Sequence, residues 1–346
     1  MKERPDPDQA GDVRPDRGRL SPDRPLLRDL VLIVTDASAP AGLGRAALGS
    51  LSRLPAAELV RARGAKLAHT TDWWEAVGAV AGIRMGNCAV AEIAWLGATA
   101  QRREAIWCAT PVRLTAAIDH VRLEAVGAGK AEALQSVVAG FNREFGDGGF
   151  LLHATQGGHA FLEMPRRMLA ASFDPGRIVG QDIADRLPTG ADAPLLRRLM
   201  TEIQMWLHAR RVADAAFNAL WLWGGGGTWP EPADGELPVA ASPEPLVRGL
   251  WRLWSGQCIE PPANFAAASR LPARALLATL SLEDWRAQGE GRPLERLDRE
   301  WLAPAWRALQ RGRLATLTLN LNGELTRVTR AQRWRFWRAR HHWADS

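Results

Sequence analysis

The chain has only three cysteines, Cys88, Cys108 and Cys258. They are scattered, odd in number and without a CxxC spacing. That pattern suggests neither a disulfide framework nor a zinc cluster, and they read as reduced core residues. Lysine is nearly missing: Lys2, Lys66 and Lys130 are the whole set, so the net charge of +6 rests on arginine. With so many alanines beside it, this is the composition that codon bias in a GC-rich genome produces, and charge alone assigns no nucleic-acid partner. No apolar run reaches the roughly 18 residues needed to cross a bilayer. The opening "MKERPDPDQAGDVRPDRGRL" also lacks the apolar region of a signal peptide. A cytoplasmic protein without membrane contact is expected.

What is present is enough for a large core. With 346 residues, 47% of them hydrophobic, the chain should form one large or two moderate domains. Residues 1–27, rich in Pro, Asp and Arg, read as an unfolded tail. "LRDLVLIVTD" (27–36) is a buried strand with Asp36 at its carboxyl end, where ligand-binding residues of open α/β sheets sit. Residues 41–65 and 73–83 read as helical, and 88–97 as helix or strand. From 106 short alternating runs suggest strands and a hairpin. A helix at about 128–145, the strands "FLLHA" and "AFLEMP" and an amphipathic helix at 191–212 follow, and "FNALWLWG" returns to strand. After a Pro-rich loop come a helix at 244–255, a strand at 273–284, a helix at 294–312 and a hairpin turning at Asn322-Gly323. No internal repeat is found.

Four pieces between about 108 and 228 occur in a telling order: "CATPVRLTAAIDHVRLEA", a helix ending "FNREF", the turn "FDPGRIVG" (173–180), and a long helix leading into "NALWLWGGG". This order resembles the inserted domain of the archaeal-type, cofactor-independent phosphoglycerate mutases of the alkaline phosphatase superfamily. From residue 27 onward, "GQDIADRLPTGADA", "TEIQMWLH", "NALWLWGGG" and the terminal "RWRFWR" resemble a bacterial offshoot, the RpfE-type regulatory proteins. The resemblance implies an α/β protein with an alkaline-phosphatase-like core sheet flanked by helices. The core would comprise 28–107 and 216–346, with an inserted α+β domain at 108–215.

It also implies two divalent metals (Mn, Mg or Zn), about six Asp and His ligands from both halves, and a Ser or Thr nucleophile. The first half offers Asp36 as ligand and Ser38 as nucleophile. The second half, 225–346, holds only Asp234, Asp284, Asp298 and Asp345, with His341 and His342 in the tail. Asp284 alone follows a strand as a second-half ligand should. Two carboxylates do not hold two metals, so no cofactor is expected unless the chain is active. The family's arginines are replaced by Phe161, Glu163 and Trp223, and its Asp-Pro-His element carries Gly176 for His. Arg113, Arg166, Arg177, Asp174 and Asn218 remain as candidates for binding a small phosphorylated ligand. The expected role is a catalytically degenerate, mutase-like protein acting through binding or regulation of an unknown protein. A residual metal-dependent phosphotransferase and a nucleic-acid-associated protein are the alternatives.

The four glycines of "FNALWLWGGGGTWP" (217–230) lack the Lys-Ser/Thr of a phosphate loop. They read as the exit from a buried strand or as a degenerate crevice. His153 and His159 flank Gly157-Gly158 without a third ligand nearby, and His208 suits a helix C-terminus. In the tail "TRAQRWRFWRARHHW", Trp334 and Trp337 at helical spacing are expected to dock on the core, leaving nucleic-acid binding as the alternative reading.

Overall fold

The computed structural model describes residues 27–35, 53–70, 72–126, 130–210, 217–231, 235–340 and 342–343. Asp36 and Ser38, the two expected catalytic residues, lie outside the described residues, as do Asp234, His341, Asp345 and the expected N-terminal tail up to residue 26.

The run 27–36 forms strand β1 (Asp29–Thr35), whose residues from Leu30 onward are all buried. Burial on both faces is what a continuous apolar run predicts for a parallel strand covered by helices. β1 lies between β10 (Ala275–Ser281) and β11 (Thr316–Leu321) and is parallel to both. Completed by β2 (Ala65–His69), β12 (Glu324–Thr329), β8 (Val239–Ala241) and β9 (Cys258–Ile259), the sheet runs β2-β12-β11-β1-β10-β8-β9. β11 and β12 form the expected hairpin. Asn322 and Gly323 both take positive φ, 52° and 75°, the geometry that makes Asn-Gly a two-residue turn.

Helices cover both faces. On one lie α1 (Pro55–Arg63), α7 (Phe265–Ala268) and the run α9 (Pro293–Leu297), a π turn at Asp298–Leu302 and α10 (Ala303–Gln310). The other face carries α2 (Trp73–Ala81), α3 (Val90–Thr99) and α6 (Pro245–Leu253). α3 and α6 cross at glycines. A Cβ on Gly97 would lie 1.8 Å from the Pro245 carbonyl oxygen, and one on Gly249 would lie 1.9 Å from that of Ile93. α1 begins without a side-chain cap of its own. Asp298 supplies it from the π turn, accepting from the N–H groups of Ala56 and Ala57 at 3.0 Å each.

A second, antiparallel sheet is built on the long strand β3 (Ile106–Ala116). β6 (Ala160–Glu163) and β4 (Val121–Ala125) pair with its two ends, and β5 (Leu151–Ala154) pairs with β6. β7 (Ala219–Trp223), expected in the main sheet, pairs instead along the other side of β3, from Cys108 opposite Trp223 to Val112 opposite Ala219. A continuous apolar run signals burial on both faces but not which sheet supplies the neighbour. α4 (Lys130–Phe145) and α5 (Ala193–Ala209) pack on this sheet around Phe141, Leu199 and Ile203. Among the described residues, no helix is long and apolar enough to cross a membrane.

The tail departs from expectation. Past a short 3-10 turn at Gln332–Trp334 no helix forms among its described residues. Trp334 and Trp337 are 63% and 71% exposed, while Trp343 is the tryptophan buried in the core, at 2%. Helical spacing suggested the wrong anchors because Trp343 occupies the core position and the segment before it bows outward.

Candidate functional site

Five neighbouring strands of the main sheet, β9, β8, β10, β1 and β11, run parallel, so their carboxyl ends share one edge. That edge carries a cluster of buried polar groups: Ser242, Thr279, Ser281, Thr35 and Asn320. The Ser242 and Thr279 hydroxyls meet at 2.5 Å. Asn320 donates to Thr70 Oγ1 at 3.1 Å, just beyond the end of β2. In open α/β sheets this edge is where ligands bind. β1 and β10 end in register, Thr35 opposite Ser281. Asp36 therefore follows in sequence from a residue paired with Ser281, whose hydroxyl caps α8 (Leu282–Ala287) by accepting from the Asp284 N–H at 3.0 Å.

On the same edge, Asp72 opens α2. It was missed in the sequence, although "DWWE" (72–75) spells a capping box. Glu75 accepts from the Asp72 N–H at 3.4 Å. Asp72 is only 5% exposed, and Arg177 donates to its Oδ2 at 3.3 Å from the second-sheet side. Arg177 belongs to the turn "FDPGRIVG". There Asp174 accepts from the Gly176 N–H at 2.9 Å, and the Phe173 carbonyl accepts from Trp221 Nε1 at 2.9 Å. The guanidinium of Arg177 lies 5.6 Å from the Phe173 ring centre.

Burial raises the Asp72 carboxyl to about 7, with the Asp174 charge adding to the rise and Arg177 opposing it. Burial, with Asp174 again contributing, also pushes the Cys108 thiol well above its usual range, so it stays protonated. The structure thus joins two expected residues, Asp174 and Arg177, with two unexpected ones, Asp72 and Cys108. The arrangement is one buried carboxyl that takes up a proton near neutrality, with a second carboxylate close enough to favour that proton and one arginine beside it.

A stability test follows from the Asp72 shift. The folded state binds this proton more tightly than the unfolded chain, so its contribution is complete below about pH 4 and is lost as pH rises through about 7. Asp72→Asn, which cannot ionise, should escape that loss. Denaturant unfolding at pH 5 and pH 8 should show the variant gaining on the parent with rising pH, by no more than about 4 kcal/mol. A constant difference across the range would reject the shift.

The remaining candidates lie elsewhere. Asn218 gives both ends of its amide to β3, accepting from the Leu114 N–H at 2.7 Å and donating to the Leu114 carbonyl at 2.9 Å. Arg113 is exposed on β3 opposite Glu124. Arg166 pairs with Asp192 at 2.8 Å. His153 reaches Glu163 at 3.2 Å. Among the described residues, no group of three His, Cys, Asp or Glu side chains stands where it could hold a metal ion.

The glycine run wraps the start of α3. Its Gly224 carbonyl accepts from the Ala91 N–H at 2.9 Å, and the adjoining Thr228 carbonyl accepts from the Ala89 N–H at 2.8 Å. Backbone donors that a phosphate would use at a helix start are engaged here by the chain itself. Gly225 lies against the Trp107 ring and Gly227 against the Cys88 carbonyl, where a Cβ would sit 2.3 Å away in each case. The run is the tight exit from a buried strand.

No family model matches this chain, and no curated protein does. Among solved structures, the cofactor-independent phosphoglycerate mutase from Thermoplasma acidophilum DSM 1728 is similar with a TM-score of 0.39 and 13% sequence identity. The similarity covers 87% of this chain and 88% of that one.

Proposed function

We propose that the chain is a phosphoglycerate-mutase-like protein of the RpfE-type group, with an alkaline-phosphatase-like core, that acts by binding rather than by turnover. The inserted unit of that architecture would run from the start of β3 to the end of β7, residues 106–223. The observation that carries the reading is the role of Asp298. It is one of only four aspartates after residue 225, and its carboxylate is engaged in capping α1. Among the described second-half aspartates this leaves Asp284 to serve a metal, and a two-metal centre needs several more ligands.

The site suits a small phosphorylated ligand. When Asp72 is neutral, Arg177 is released from its ion pair and can offer a planar fork to phosphate or carboxylate. Affinity for 3-phosphoglycerate should then fall as pH rises through about 7, and Arg177→Gln should weaken it about tenfold or more. Calorimetric titration at pH 6 and pH 8 tests both points, and equal affinity at the two values would remove Asp72 from the site. A coupled assay with added manganese should detect no interconversion of phosphoglycerates.

The register of Thr35 with Ser281 favours a second reading, a residual metal-dependent phosphotransferase using Asp36 and Asp284. Manganese-dependent turnover abolished by Asp36→Ala would establish it in place of the first.

A further inference from the structure

Six of the chain's 44 basic residues lie in 325–344, a stretch with no acidic residue, and the other 38 are balanced by the 38 acidic ones. The whole formal excess of +6 is therefore concentrated in the segment that leads into and through the bowed tail. The segment is fastened at both ends. Arg63 donates to the Arg333 carbonyl at 2.5 Å, Arg338 to the Gly64 carbonyl at 3.2 Å, and Arg61 to the Trp343 carbonyl. Between these ties stand Trp334, Phe336 and Trp337, 63%, 74% and 71% exposed.

Arginines and rings alternate here. Arg333 lies over the Trp334 ring at 4.8 Å, and Phe336 meets Trp337 edge to face at 5.6 Å. Arg335 and Arg340 have no carboxylate partner among the described residues. Arg340 also crowds Arg63: burial first, and then the Arg340 charge, hold the Arg63 guanidinium below its usual value. Like charges gathered with no acid among them favour an anion.

We propose that the surface formed by Trp334, Phe336, Trp337, Arg335 and Arg340 binds single-stranded nucleic acid, its rings stacking on bases and its arginines neutralising phosphates. Sequence-tolerant single-strand sites combine these two elements, a basic track and aromatic platforms. Interleaving favours this ligand over a lipid surface, which takes its aromatics at a common depth with the cations behind them. The face lies away from Asp72 and Arg177 in sequence and makes no use of them.

The test is fluorescence anisotropy of the full chain with a labelled 20-nucleotide single-stranded DNA of mixed sequence, across a salt series. Binding should weaken with salt, and Arg335→Gln/Arg340→Gln should flatten the log-log slope by roughly 1 to 1.5. Trp334→Ala/Trp337→Ala should weaken binding roughly tenfold or more. Because Trp334, Trp337 and Arg340 are exposed and Arg335 is only half-buried with no side-chain partner among the described residues, both variants should melt as the parent does, so lost binding will not mean lost fold. No binding at low salt, or binding that neither variant alters, would overturn the proposal. So would sedimentation with phosphatidylserine-containing vesicles in the absence of oligonucleotide binding, which would assign the face to a membrane.

Discussion

Gly249→Ala should destabilise the protein by at least about 3 kcal/mol, beyond the usual range for an added methyl group. The reason is the identity of the atom it meets. The new Cβ would lie 1.9 Å from the Ile93 carbonyl oxygen, a backbone atom inside α3 that no side-chain rotation can move aside. Relief requires α3 and α6 to separate, and these helices carry Ile93, Leu250 and Trp251 into one face of the main core. Gly97→Ala meets the facing backbone at Pro245 and calls for the same separation. The double variant should therefore cost less than the sum of the two. Thermal melts of the three variants would check this. A drop on the order of 5–10 °C is expected for Gly249→Ala, and strict additivity would refute a shared displacement.

Trp343→Ala should cost about 3–5 kcal/mol, the loss typical of a buried tryptophan. Trp343 is 2% exposed and belongs to the core beneath α1 and α10, and Arg61 ties its carbonyl while pairing with Glu324 at 3.1 Å. Arg61→Gln should lose part of the same stabilisation. The double variant Trp334→Ala/Trp337→Ala should leave the midpoint unchanged within a degree or so. Equal melting of Trp343→Ala and the parent would show that the tail end contributes nothing to the fold.

Much of the architecture was legible because local patterns carried it. The continuous apolar run at 27–36, the Asn322-Gly323 turn and the amphipathic 191–212 helix each contain their own instruction, and each appears within a few residues of the expected place. β8 and β9 were not legible. Three and two residues long, they gain strand form from pairing with β10 and with each other. The site was half legible. Asp174 and Arg177 came from the resemblance of the turn at 173–180, whereas Asp72 becomes notable only when burial and a distant carboxylate raise its affinity for a proton. Cys108 likewise gained meaning from its neighbour Asp174. Charges brought together across 102 residues, as Asp72 and Asp174 are, leave no trace in spacing.

β1 is the first strand among the described residues, yet both of its partners, β10 and β11, come from the last quarter of the chain. During synthesis one of its edges therefore waits unpaired until residue 281 has left the ribosome and the other until residue 321, and the Asp298 cap on α1 comes between the two. At about 5–20 residues per second that interval is on the order of 15–60 s. Long-range parallel pairing is also slow to form once the partners exist. The apolar run 30–34 is thus open to misassociation through that interval, and a chain cut short before β10 would carry it with neither partner strand.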